Sequence, residues 1–246
     1  MNRILITGAC GSIGSALTKK LLSEDKIVCA LDNSEDGLFK LKRDIKNNHY
    51  SNNLKTFLGD VRDIKRLTQA MKNIDLVFHC AALKHVELSE YNPSEALETN
   101  VNGTNNVIEA ALTAGVQRVI VTSSDKAVNP SSMMGVTKLL SEKLAINANN
   151  IAGSDDIKIS CVRFGNVWNT NGSVGPIFKN QILKGENLTL TSPDMTRFFI
   201  SIKDAIDLCI KADEEMVGGE IFISDMGAAS IGDLAKEFQK LNKTIE

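Results

Sequence analysis

The 246-residue chain sets 28 Lys and Arg against 30 Asp and Glu, a formal net charge of −2, with 43% apolar residues. That length can bury a sizeable core and suits one large domain with or without a small appendage. The near-neutral charge excludes the basic excess typical of a nucleic-acid grip, and no apolar run approaches the roughly 18–20 residues that cross a bilayer. Only Met1 and Asn2 precede Arg3-Ile4-Leu5-Ile6, so no export signal is expected, and the chain reads as cytoplasmic. Cys10, Cys29, Cys80, Cys161 and Cys209 form no C-x-x-C pair and read as reduced thiols, and with only three histidines no metal site is expected.

In chain order, Ile4–Thr7, Ile27–Leu31, Leu54–Leu58, Leu76–His79 and Val119–Thr122 are short apolar runs bounded by Gly or Asp, the pattern of strands covered on both faces. Ile13, Ala16, Leu17 and Leu21 share one helical stripe, as do Leu97, Val101, Thr104, Ile108 and Leu112. Alternation of this kind predicts a doubly wound α/β domain with a parallel, Rossmann-like sheet. A sixth strand is expected near Ile157–Arg163, then a turn-rich loop over 169–176, a helix to about Lys184 and a short strand at Leu188–Leu190. Ser201-x-x-Asp204 and Ser230-x-x-Asp233 open two further helices with capping devices, the second preceding Leu234, Phe238 and Leu241. The predicted division is 1–169 as a dinucleotide-binding domain and 170–246 as a smaller mixed α/β substrate lobe, partly interleaved with the first.

Thr7-Gly8-Ala9-Cys10-Gly11-Ser12-Ile13-Gly14 lies where the first strand hands over to a helix. Gly8 permits a tight turn, Gly11 lets backbone N–H groups near Ser12 and Ile13 approach a pyrophosphate, and Gly14 allows close packing of helix on strand. Asp32 ends the second strand, where a carboxylate accepts hydrogen bonds from ribose hydroxyls and repels a 2′-phosphate, so NAD is expected over NADP. The alternative is that Asp32 caps the next helix in competition with Asn33 or Ser34. Asp60-Val61 after the third strand suits the adenine edge, and an Asp there also suits a cap.

The G-x-x-G-x-x-G spacing and the residues downstream resemble an extended short-chain dehydrogenase/reductase. Lys138 stands at the lysine of that family's Tyr-x-x-x-Lys pair, but Met134 occupies the tyrosine position. Ala81-Ala82-Leu83-Lys84-His85-Val86, Ser124-Asp125-Lys126-Ala127, Arg163-Phe164-Gly165-Asn166-Val167 and Pro193-Asp194-Met195-Thr196-Arg197-Phe198 together resemble the nucleotide-sugar 4,6-dehydratases of the polysaccharide-biosynthesis group. Many of those carry Met for Tyr, and they continue beyond the position matching residue 246. Several relatives have a Ser-Arg end at the Asp32 position and use NADP.

The resemblance implies 4,6-dehydration of a UDP-linked N-acetylhexosamine for surface glycans. Asp125 would be the acid and Lys126 the base, with Ser124, Met134 and Lys138 completing the catalytic set. Burial would favour the neutral form of both Asp125 and Lys126. Lys138 would hold the nicotinamide ribose, while Ala81, Ala82, Lys84 and Asn100 would line the cofactor, Asn100 as a structural asparagine. Lys84, Asn166, Val174 and Arg197 would meet the substrate, and a homo-oligomer is expected on the same ground. Two rivals stand beside this reading: a nucleotide-sugar 4-epimerase, which needs no C5 base, and a non-catalytic NAD-binding regulator, suggested by the missing tyrosine.

Overall fold

The computed structural model describes residues 3–151, 157–170 and 172–243. Two compact units emerge, one of residues 1–163 with 206–223 and one of 164–205 with 224–246. The sequence reading placed the division at 169/170. The chain leaves the first unit at 163/164 and returns to it through 206–223, which gives the expected interleaving its place in the chain.

In the first unit, β1 (Arg3–Thr7), α1 (Ser12–Ser23), β2 (Ile27–Asp32), α2 (Glu35–Ile45), β3 (Leu54–Leu58), α3 (Ile64–Ala70) and β4 (Leu76–His79) alternate without interruption. After them come α4 (Val86–Tyr91), α5 (Pro93–Ala96), a π turn (Leu97–Asn102), α6 (Gly103–Ala114), β5 (Arg118–Ser124), α7 (Met133–Ile151) and β6 (Lys158–Phe164). The seven-stranded sheet has the order β3-β2-β1-β4-β5-β6-β9, where β9 (Ile221–Ile223) is the returning strand. The pairs β1–β2, β1–β4, β2–β3, β4–β5 and β6–β9 are parallel. This is the Rossmann order, with ligands expected beyond the carboxyl ends of the strands where the order reverses.

The apolar runs explain the sheet's interior: all four residues of β4 and the five central residues of β5 are buried under helices on both faces. β3 departs from expectation, because Lys55, Thr56 and Leu58 are exposed on an edge strand. The stripe from Leu97 to Leu112 also breaks down: Val101, Thr104 and Ile108 are buried, but Leu97 and Leu112 are exposed. Leu97 lies on the π turn, outside the regular helical count, and Leu112 lies near the end of α6.

The second unit holds a three-stranded sheet, β10-β8-β7, from β7 (Asn166–Val167), β8 (Thr196–Ile200) and β10 (Gly227–Ser230). α8 (Val174–Leu183) and α10 (Ile231–Lys243) share an apolar cluster of Phe178, Ile231 and Ala235, with Leu188, Met195, Phe199 and Phe238 around it. Leu188–Leu190 is not a strand; Gln181 holds Thr189 through its side-chain amide at 2.8 Å, and Leu188 is committed to that cluster. Both capping devices form: Asp204 N–H donates to Ser201 Oγ at 3.0 Å and Asp233 N–H to Ser230 Oγ at 3.2 Å. The former opens α9 (Ile202–Glu215), which carries the chain back to the first unit. The side chain of Leu241 lies outside the described residues, as does Asn171 of the predicted loop. All five cysteines are free thiols.

Candidate active site

Thr7 ends β1, and the chain turns at Gly8 with φ +65°, where a Cβ would lie 2.6 Å from the backbone nitrogen of Ala81. Only glycine meets both demands. A Cβ on Gly14 would in turn run into the Gly8 carbonyl, so α1 abuts the loop directly. Gly11 is the N-cap of this 12-residue helix and gives its first turn no side-chain cap. The N–H groups at Ser12 and Ile13 are thus available to an anion, and the helix dipole favours one there.

Asp32 Oδ2 accepts from Cys10 N–H at 2.9 Å and Oδ1 from Ser34 N–H at 2.9 Å, which leaves a further acceptor site on each oxygen. Ser34, not Asp32, caps α2, accepting from Gly37 N–H at 3.1 Å. The carboxylate is therefore tied to the glycine loop and still able to accept ribose hydroxyls. The glycine cradle, the uncapped helix start and this carboxylate fit a dinucleotide.

Asp60 differs from expectation. Its Oδ1 accepts from Arg62 N and Nε at 2.9 and 3.0 Å, and its Oδ2 from Arg62 Nη2 and Asn33 Nδ2 at 2.8 and 3.3 Å. Those four bonds fill its acceptor sites and hold its carboxyl below the usual range, chiefly through Arg62. Val61 is buried and packs in the core cluster, so its backbone is the part that can meet an adenine. The cap of α3 is Asp63, which accepts from Arg66 N–H.

Asn100, on the π turn, is 1% exposed. Its Oδ1 accepts from Leu83 N–H at 2.7 Å, and its Nδ2 donates to Leu83 O and Thr137 Oγ1, both at 3.0 Å. The amide is spent on Leu83 and Thr137, so Asn100 ties the Ala81–Lys84 strip to α7. Partial burial lowers the Lys84 ammonium's pKa.

β5 delivers Ser124, Asp125 and Lys126 into a single 3₁₀ turn at the sheet's carboxyl edge. Ser124 Oγ donates to Asp125 Oδ1 at 2.9 Å, and Lys126 Nζ reaches the same oxygen at 3.0 Å. The expectation of two buried groups is not met: the Lys126 and Asp125 side chains are 30% and 19% exposed and form an ion pair. α7 starts against this turn because Gly135 has no Cβ to strike the Lys126 carbonyl. Met134 is buried one turn before Lys138, as the spacing predicts. Lys138 Nζ donates to the Thr122 carbonyl at 2.8 Å, and burial lowers its pKa to about 8. Behind it, Arg163 makes a two-point ion pair with buried Glu142, Nε to Oε1 at 2.7 Å.

Sequence reading passed over three residues here. Thr122 supplies the lysine's acceptor, Ser123 Oγ is buried without a partner among the described residues, and His79 joins two threonine hydroxyls. Only the position of His79, polar at the end of an otherwise apolar strand, was a usable signal.

Of the second unit's expected residues, Asn166 lies on β7 and Arg197 on β8, where Arg197 Nη1 donates to the Thr196 carbonyl at 2.8 Å. Val174, at the start of α8, is partly buried against the cluster around Phe178.

A family model described as polysaccharide biosynthesis protein matches residues 4–246. The chain is 50% identical over 232 residues to an uncharacterized membrane protein of Methanocaldococcus jannaschii, covering 94% of this chain and 68% of that one. It is 45% identical over 233 residues to a UDP-N-acetylglucosamine 4,6-dehydratase (inverting) of Campylobacter jejuni, with coverages of 94% and 69%. A UDP-glucose 4-epimerase of Rickettsia akari is 41% identical over 242 residues, 97% of this chain and 70% of that one. The solved structure of Pen from Bacillus thuringiensis superposes with a TM-score of 0.95 at 39% identity, covering 99% of this chain and 77% of that one. MoeE5, solved in complex with UDP-glucose and NAD, gives a TM-score of 0.83 at 26% identity, with coverages of 98% and 82%. On its sequence match across 4–246 and its fold, the chain belongs to the polysaccharide biosynthesis protein family, within the extended short-chain dehydrogenase/reductases.

Proposed function

We propose that the chain carries out the NAD-dependent 4,6-dehydration of a nucleotide-activated N-acetylhexosamine, UDP-linked, giving a 4-keto-6-deoxy sugar for glycan synthesis. The observation that carries this reading is the Ser124–Asp125–Lys126 turn with Met134 at the tyrosine position. The 45% identity to the Campylobacter jejuni dehydratase supports it.

Loss of water across C5 and C6 requires a ketone at C4, which acidifies the C5 proton. NAD, when bound, supplies that chemistry by taking a hydride from C4 and returning it at C6 within one cycle. Gly8, Gly11 and Gly14 with the start of α1 would hold its pyrophosphate, Asp32 its adenosine ribose and Lys138 its nicotinamide ribose.

The protons belong to the chain. Met134 has none to exchange. Ser124 Oγ already donates to Asp125 Oδ1, so a proton leaving the C4 hydroxyl can enter the Ser124 oxygen as Ser124 passes its own to Asp125. Lys126, once its ammonium has released the proton of the ion pair, removes the C5 proton. Asp125, now an acid, protonates the departing C6 hydroxyl, which leaves as water. Lys126 returns its proton to C5 as C6 is reduced. Asp125 leaves the cycle as carboxylate and Lys126 as amine, so no net proton is taken up, and the Lys126 protons exchange with solvent between the two C5 steps.

On the second unit, Arg197 suits the diphosphate, because a guanidinium makes paired bonds to phosphate oxygens, and Asn166 suits a sugar hydroxyl. Asn166, Arg197 and the backbone of Val174 are substrate-side assignments, as is Lys84 on the first unit. Among the described residues no helix is long and apolar enough to cross a membrane. A cytoplasmic location and a homo-oligomeric assembly belong to this proposal.

The second reading is 4-epimerisation, favoured by the 41% identity to the Rickettsia akari enzyme. The Asp125–Lys126 pair argues against it, since inversion at C4 needs no C5 base. Incubation with UDP-N-acetylglucosamine and trace NAD, followed by mass spectrometry, separates the two. Dehydration predicts a product lighter by one water and no net NADH. An unchanged mass with inverted C4 establishes the epimerase, and NADH rising in step with product establishes a dehydrogenase.

A further inference from the structure

Beneath the carboxyl ends of β1, β4 and β5 runs a buried hydrogen-bonded chain that the proposed proton steps do not use. Ala81 N–H donates to Thr7 Oγ1 at 3.4 Å, and Thr7 Oγ1 meets His79 Nδ1 at 2.7 Å. His79 Nε2 meets Thr104 Oγ1 at 3.0 Å, and Thr104 Oγ1 donates to the Asn100 carbonyl at 2.5 Å. Thr7, His79, Thr104 and Asn100 are 0–2% exposed. From Asn100 the connection goes on through Nδ2 to Thr137 Oγ1, which donates to the Met134 carbonyl at 2.8 Å. Thr122 closes the structure from the side: its hydroxyl donates to the His79 carbonyl at 3.0 Å, and its own carbonyl takes Lys138 Nζ.

The direction of this chain is fixed by proton count. A carbonyl can only accept, so Thr104 gives its single hydroxyl proton to Asn100. Toward His79 the Thr104 oxygen can then only accept, which requires a proton on Nε2. Burial and the Lys138 charge keep the imidazole neutral, with its pKa lowered to about 3, so Nδ1 is bare and accepts from Thr7. The opposite tautomer would set two lone pairs against each other at Thr104 and leave the Thr7 hydroxyl proton without an acceptor among the described residues. In a site this dry, each such mismatch leaves an unsatisfied polar group.

We infer that His79, as the Nε2–H tautomer, is a positioning residue that locks the cofactor platform at Thr7-Gly8 and Ala81 to the π turn, and through it to the helix bearing Met134 and Lys138. It touches neither ligand. Its effect is to hold one arrangement of the loop ends that Gly8, Ala81 and Asn100 define. The inference rests on the NAD reading for its consequence, but not for its geometry.

The test begins with the unliganded 246-residue chain, ¹⁵N-labelled at its three histidines (His49, His79, His85). The His79 resonances are identified by their loss in His79→Gln. Long-range ¹H–¹⁵N correlation should show His79 with Nε2 protonated and Nδ1 bare; a protonated Nδ1 would overturn the inference. Calorimetric titration with NAD then reads the consequence. His79→Leu, of similar bulk but without either polar atom, should bind NAD at least about tenfold more weakly, the scale of one unsatisfied buried group. His79→Gln, whose amide carries one acceptor and one donor, should recover most of that loss. Thr104→Val should weaken binding as His79→Leu does, and the double variant no further. A folded His79→Leu protein that binds NAD within about twofold of the parent refutes the positioning role. If His79→Leu does not fold, Thr104→Val and the tautomer decide. If the parent binds no NAD, the cofactor reading fails while the tautomer still judges the chain.

Discussion

Lys138 offers a prediction that can be worked through in numbers. Its ammonium is 8% exposed, held by the Thr122 carbonyl, and burial brings its pKa from 10.5 to about 8. The folded chain therefore holds this proton less tightly than the unfolded chain. Between about pH 8 and 10.5 the unfolded state binds more protons, so stability from this group rises with pH across that window and is flat below it. At 1.36 kcal/mol per pKa unit, the gain from about pH 7 to about pH 10 is on the order of 2.5 kcal/mol. Urea unfolding of the parent and of Lys138→Met at stepped pH isolates it, because other titrating groups largely cancel in the difference. The parent should gain on the variant by that amount as pH rises. A difference that stays constant, or that falls as pH rises, would refute the claim that burial destabilises this ammonium.

Two further predictions concern single residues. Asp32→Ser combined with Asn33→Arg should shift cofactor preference toward NADP, by removing like charge and adding a phosphate partner; comparative NAD and NADP titrations check it, and a parent that already prefers NADP contradicts the Asp32 reading. Glu142→Leu strands the Arg163 guanidinium without its two-point partner, and should cost about 3 kcal/mol in urea unfolding; a loss under about 1 kcal/mol would show that the ion pair contributes little.

The glycine loop, Asp32 and the Ser124–Lys126 turn were legible because each follows a short apolar strand, and chemistry in this architecture concentrates at strand ends. The Lys138–Met134 spacing was legible because helical period fixes which residues share a face. The π turn was not, since nothing in Leu97–Asn102 marks an extra residue in the helical count. Interleaving of the two parts was expected, but not the segment, because the return of 206–223 is decided by long-range pairing of Cys161–Arg163 with Ile221–Ile223. The partners of Asp60 and Val174 were not legible either, since motif position does not show Arg62 beside the first or the Phe178 cluster beside the second. His79 stood out by position, as a polar end to an apolar strand, but its role did not. Its meaning lies in Thr7 and Thr104, which are 72 and 25 residues away in the chain.

The central claim, that Lys126 moves the C5 proton of a nucleotide sugar, is tested most directly by turnover of UDP-N-acetylglucosamine in deuterated water. The parent should lose water and place one solvent deuterium at C5. Lys126→Ala should still bind NAD but lose dehydration by roughly 10²–10⁴-fold, the usual consequence of removing a general base, with no deuterium at C5. Parent-like water loss and deuterium incorporation in a folded, NAD-binding Lys126→Ala protein would contradict the account.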